Sequence, residues 1–191
     1  MRHRRKGRVL GRSPSHQRAL LRNLASALFL TEQDPELLLD PKQAPKVPGR
    51  IITTLEKAKE VRPLVEKCIT LARKSGEIRE SAEQYSTDAE RNTEAWKAWR
   101  KSEKWKQWAK AVAPALAIRR KVLVMLGDKK AVKVLFDDVA SKFGGRPGGY
   151  TRIMRLAKPR LGDAGTRAVL EFVGVRDRTA KAAPAPAVDK E

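Results

Sequence analysis

The chain reads as an α+β protein: a two-layer domain of order α-β-α-α-α-β-β, with a small three-stranded sheet covered on one face by helices. Three observations predict it. Apolar residues recur at three- and four-residue steps over residues 14–30, 55–74 and 128–143. Short β-branched or alternating runs stand at RIITT (50–54), at YTRIMRLA (150–157) and near AVLEFV (168–173). Glycine and proline clusters separate the two kinds of segment.

Residues 1–12 form a basic arm with little to bury. Gly7 and Gly11 supply bends, and no acidic side chain relieves the repulsion among its cations. Ser13-Pro14 then marks a helix start, a serine N-cap followed by proline at the first helical position. Leu20, Leu21, Leu24 and Leu28 give that helix one apolar face, and it should end near Leu30. Residues 33–49 hold four prolines and read as a loop. After the strand at 50–54, Ala58, Val61, Val65, Cys68, Ile69 and Ala72 share a helical face. Pro63 is expected to kink or divide this helix, because it removes a backbone donor, and Ser75-Gly76 is expected to stop it.

The highly charged segment of about 75–115 contains all four tryptophans. Two short helices are then expected on either side of Gly127-Asp128, and two strands joined by a loop around Leu161–Gly165. Residues 13–176 thus make one domain, carrying a loop insertion at 33–49 and a helical insertion at about 75–115. Residues 177–191, rich in alanine and proline, read as a disordered tail.

Charge narrows the function. The 191 residues carry 42 Lys and Arg against 22 Asp and Glu, a formal net charge of +20. Hydrophobic residues make up 41%, enough for a core, so the chain is not a disordered polycation. Such an excess of one sign repels itself unless a polyanion offsets it, and phosphate contacts release condensed counterions. A nucleic-acid partner follows. A membrane partner does not: no long basic amphipathic helix offers a broad apolar face to an acidic surface, and no apolar run nears the roughly 20 residues needed to span a bilayer. With Cys68 the single cysteine, an intrachain disulfide is impossible. No nucleophile with a base and orienter can be assembled, no Gly-Lys-Ser/Thr follows a glycine loop, and Asp137-Asp138 is a poor metal pair. No enzyme, cofactor, metal or small-molecule substrate is expected.

The candidate contacts fall into three groups. In the arm they are Arg2, His3, Arg4, Arg5, Lys6, Arg8 and Arg12, followed by His16, Arg18 and Arg22 on the first helix. Arginine predominates, and its planar fork both pairs with phosphate and stacks on bases. His16 has two readings, an anion contact at a helix N-terminus or a local cap. The second group is Arg146, Tyr150 and Arg152 in GGRPGGYTRIMR, where Arg152 and Arg155 should point to opposite sheet faces. Tyr150 could equally fill core space. The third is WKAWRKSEKWKQW, in which Trp96 and Trp99 lie on one side of a continuous helix and Trp105 and Trp108 on another. At least one of these pairs should be core, leaving the other for residues 33–49, RNA or a neighbouring protein.

Four stretches also occur in a familiar order: the Met-Arg-His start, Ser-His before Arg-Asn-Leu, Thr-Thr before Lys-Ala-Lys-Glu, and Gly-Gly-Tyr-Thr-Arg-Ile before an Arg-x-Gly-Asp turn. In this the chain resembles the bacterial large-subunit ribosomal protein L-seventeen family. The resemblance implies a structural rRNA-binding protein of the cytoplasmic ribosome, near the rim of the peptide exit tunnel, with rRNA and neighbouring large-subunit proteins as partners. It also implies the α-β-α-α-α-β-β fold. An acid-poor, Arg-rich start could be an organelle transit peptide, but the family's mature proteins resemble this chain from Met1 onward, so the arm is expected to be kept and threaded between rRNA segments. The alternative is a free nucleic-acid-binding protein, of nucleoid type or an RNA chaperone.

Overall fold

The computed structural model describes residues 7, 8, 10, 11, 13–33, 45 and 47–174. Arg2, His3, Arg4, Arg5, Lys6 and Arg12 of the arm lie outside the described residues, as do most of the 33–49 loop and all of the 177–191 tail.

Helix α1 runs Pro14–Leu30, and the Ser13 side chain accepts a hydrogen bond from the His16 amide, the N-cap that the Ser-Pro pair predicts. Strand β1 is Arg50–Thr54. Helix α2 is Leu55–Ala82, a single element of 28 residues that neither Pro63 nor Ser75-Gly76 interrupts, contrary to expectation. Pro63 is exposed, so water can satisfy the carbonyl it leaves without an amide partner, while Val61 and Val65 on either side are fully buried. Ser75 is buried against the returning helix, its hydroxyl donating to the Ala115 carbonyl at 3.5 Å. Packing of this kind outweighs the helix penalty of one glycine, about 1 kcal/mol.

A 3-10 turn, Glu83–Tyr85, leads into α3 (Glu94–Lys101) and α4 (Glu103–Leu126). The helix expected at Ala115–Leu126 is therefore only the second half of α4, which passes through the exposed Pro114 without a break. Gly127, in the left-handed region at φ +76°, ends α4 as its C-cap, and the Asp128 carboxylate caps α5 by accepting from the Lys130 amide at 2.8 Å. Helix α5 (Lys129–Val134) continues through a π-helical turn, Leu135–Val139, into α6 (Ala140–Lys142).

Strands β2 (Thr151–Arg155) and β3 (Arg167–Phe172) complete a three-stranded antiparallel sheet of order β1-β3-β2. Its inner face pairs Ile51 and Ile153 with Leu170 and receives the helices. Leu28 and Phe29 of α1, Val61, Val65 and Ile69 of α2, and Leu135 and Val139 meet it there, all fully buried. Phe29 stacks on Phe172 at 6.0 Å between ring centroids. The core members of α2 end at Ala72, and those of α4 are Val122 and Leu126. Helices of 28 and 24 residues are about 42 and 36 Å long. Their far halves, with α3, thus form a hairpin reaching past the core.

Candidate nucleic-acid interface

Antiparallel register fixes what the outer face of the sheet presents. Arg50 and Arg152 both lie opposite Glu171, and Ile52 and Met154 both lie opposite Val169. Two rows result. In the charged one, Arg50 Nε donates to Glu171 Oε2 at 2.7 Å and Arg152 Nε to Oε1 at 2.6 Å. Burial alone would raise the Glu171 pKa, but the hydrogen bonds and charges of the two guanidiniums outweigh it and hold the carboxyl below its ordinary value. The triad therefore stays ionised, with one net positive charge. Both arginines remain about one-third exposed, whereas the Glu171 side chain is nearly inaccessible. In the apolar row Val169 is buried beneath Ile52 and Met154, which are exposed.

At the Thr54 end of the same strand, a cleft of about 310 Å³ is lined by Ile52, Thr53, Thr54, Lys57, Arg160 and Arg167. Arg160 pairs with Asp163, Nε to Oδ1 at 2.8 Å, and Asp163 also accepts from the Gly165 amide. The Arg160 bond leads in holding the Asp163 carboxyl well below the usual carboxylate range. That pair closes the turn between β2 and β3.

The candidate contacts are divided among elements. Arg8, His16, Arg18 and Arg22 are exposed at α1 and before it. Gln17 donates to the Arg8 carbonyl, and Gly7 and Gly11 adopt positive φ of +88° and +66°, the bends that the arm was expected to need. Arg22 reaches across to donate to the Val124 carbonyl of α4 at 3.1 Å. Arg146 is exposed, its carbonyl held by Arg73 of α2 at 2.5 Å. Arg152 lies on the outer face, as the alternation of its strand predicts.

Tyr150 is corrected. Its ring is fully buried, 5.1 Å from Phe143 between centroids, so it cannot stack on a base. The backbone explains the placement. Glu66 of α2 accepts from the amides of Tyr150 and Thr151, at 3.2 and 2.9 Å, and from the Thr151 hydroxyl at 2.7 Å. This clamp fixes the start of β2 against α2 and turns Tyr150 inward. Arg50, Lys57, Arg160 and Arg167 were missed as candidates. Each is an ordinary cation until strand pairing gathers it, and the one available signal was the shared parity of Arg50 and Arg152 with acidic Glu171.

The tryptophans also differ from expectation. The chain breaks at Ser102 between α3 and α4, so they do not lie on two sides of one helix. Trp99 and Trp108 meet edge-on at 5.6 Å, and the Arg100 guanidinium lies over both Trp96 and Trp105. All four are half-buried, and none belongs to the main core.

Among the described residues no group of side chains could hold a metal ion, and no helix is long and apolar enough to cross a membrane. Residues 20–173 match the family model described as Ribosomal protein L17. The large ribosomal subunit protein bL17 of Rhodopirellula baltica is 64% identical over 191 residues, covering 100% of this chain and 90% of that protein. Its counterpart in Nitratidesulfovibrio vulgaris is 36% identical over 188 residues, 98% of this chain and 99% of that one. That of Bradyrhizobium diazoefficiens is 35% identical over 181 residues, 95% and 89% of the two chains. With most of its length matched and a full-length relative at such identity, the chain belongs to the ribosomal protein L17 family, structural proteins of the large ribosomal subunit rather than enzymes.

Proposed function

We propose that this chain is a structural constituent of the large subunit of the cytoplasmic ribosome and binds rRNA near the rim of the peptide exit tunnel. It does so through its Arg-rich arm, the exposed cations of α1, and the outer face of the sheet. The observation that carries the reading is the Arg50–Glu171–Arg152 row with the basic cleft further along the same strand. Two guanidiniums held on one buried carboxylate are already ordered before RNA arrives, so less side-chain entropy is lost on binding. Ile52 and Met154 beside them can pack on sugar or base surface, and Arg146 extends the cationic surface at the start of β2. The arm adds Arg2, Arg4, Arg5, Lys6, Arg8 and Arg12 within twelve residues and no acidic side chain, a density of cations suited to phosphate contact between RNA helices.

Phosphate contact supplies affinity and shape supplies position, so sequence discrimination is not required of these residues. The test is sedimentation of tagged protein from a lysate under conditions that separate the subunits, followed by a high-salt wash. Comigration with the large subunit after the wash is expected, with crosslinks from the sheet face to large-subunit rRNA. Protein left near the top of the gradient, or released from bulk nucleic acid by modest salt, would overturn the proposal and favour a free nucleic-acid-binding protein.

A further inference from the structure

The end of the α2–α4 hairpin has no part in the interface described above, yet it holds every tryptophan of the chain. Residues 91–110 also carry seven Lys or Arg against two Glu. Two of the tryptophans build a support. Trp99 packs edge-on against Trp108, and its indole N–H donates to the Tyr85 carbonyl at 3.2 Å, which ties α3 to the end of the preceding 3-10 turn. The other two present themselves. The Arg100 guanidinium carbon lies 5.0 Å from the Trp96 ring centre and 5.8 Å from that of Trp105, and neither indole N–H has a hydrogen-bond partner among the described residues. Between α3, α4 and the segment before them runs a cleft of about 490 Å³, lined by all four rings with Arg91 and Arg100.

We infer that this tip is a second RNA-docking site, which takes an unpaired nucleotide by stacking its base on the Trp96–Arg100–Trp105 group while the surrounding cations meet its phosphate. The inference rests on the rRNA-binding reading but concerns a separate place on the molecule. Three features select RNA as the occupant. The surplus of positive charge suits a polyanion. Alternating indole and guanidinium planes form the kind of ladder that an extruded base extends, since every base has a π-face. The unused indole N–H groups can donate to base or phosphate oxygens. A duplex keeps its bases stacked inside and cannot use such a platform, so an unpaired loop or bulge is required.

Because all four tryptophans lie here, emission excited selectively at tryptophan reports this site and no other part of the chain. The purified full-length chain is titrated with a ten-residue oligouridylate, and separately with an RNA duplex of equal length. Quenching by the single strand and not by the duplex is expected. Binding of the oligouridylate, followed on a label at its end, should weaken about five- to a hundred-fold in Trp105→Ala and recover most of that in Trp105→Phe, which keeps a stacking ring. Arg100→Gln, which leaves all four rings in place, should weaken binding without loss of helix by circular dichroism. Oligouridylate bound with unchanged tryptophan emission would overturn the inference and leave the basic arm and sheet face as the RNA contacts. Equal quenching by the duplex would overturn it too, as would a response to an acidic peptide of sequence PELLLD (residues 35–40) in place of RNA. Failure to comigrate with the large subunit would instead refute the ribosomal reading.

Discussion

Single side chains in this protein divide by what their polar atoms can find. The Tyr150 hydroxyl is buried and has no partner among the described residues, although the ring itself is held between Phe143 and the clamp at Glu66. An unsatisfied buried hydroxyl costs about 1–3 kcal/mol. Tyr150→Phe removes the hydroxyl and keeps the ring, so the variant should be more stable, by on the order of 1 kcal/mol, with unchanged association with the large subunit. A urea-unfolding midpoint checks the first half and gradient sedimentation the second. A drop in midpoint would mean that the hydroxyl has a partner. Glu171 shows the opposite case: a buried carboxylate whose two oxygens each accept from a guanidinium, so that its charge is compensated and neither oxygen is left without a partner.

Among the elements, α2 departs most from its sequence pattern. Gly76 lies well inside it, yet an added Cβ would meet nothing within 4 Å, and its φ is not in the left-handed region. Neither a turn nor a close approach calls for glycine there. Gly76→Ala should therefore stabilise the protein by about 0.5–1 kcal/mol through reduced freedom of the unfolded chain and better helix propensity. The same midpoint measurement decides it, and destabilisation would show that the cleft between α2 and the π-helical turn closes further than its 540 Å³ suggests. Helix α4 teaches a related lesson at Pro114. A proline on an exposed helical face loses one hydrogen bond to water-accessible backbone, and packing of Ala115, Val122 and Leu126 on the other face holds the helix through it.

At the scale of the whole molecule, Cys68 reports global unfolding. It is fully buried in the core, and burial pushes its thiol pKa up from 9.0 to about 12. The unfolded chain therefore releases this proton first. Below about pH 9 both states hold the proton and nothing changes. Between about 9 and 12 the unfolded thiolate is favoured and stability falls as pH rises, a contribution lost progressively across that window. Unfolding free energies measured from pH 8 to 11 should fall more steeply in the natural protein than in Cys68→Val, which keeps an apolar side chain but cannot ionise. Parallel slopes would mean that the thiol is reached by solvent without unfolding.

Much of this architecture was legible one residue at a time. Ser13-Pro14 announces the start of α1 because a cap is a local hydrogen bond, and Gly127-Asp128 announces a break because a left-handed residue and an Asp cap act within a few positions. The three strands were legible from β-branching and alternation, and the basic character from composition alone. What local chemistry could not decide was the length of the long helices, since Pro63, Gly76 and Pro114 are tolerated only because of which face they occupy. Nor could it decide the fate of Tyr150. An aromatic after two glycines suits an RNA surface or a core equally, and the choice was made by Glu66, 84 residues away in sequence. The tryptophan platform likewise exists only after the chain breaks at Ser102 and folds α3 back on α4. Sequence by itself determined the α+β class, the caps and strands, the cationic surplus and the family. Tertiary structure alone decided which cations share a face, because strand register and helix return bring together residues whose separation along the chain carries no signal of their contact.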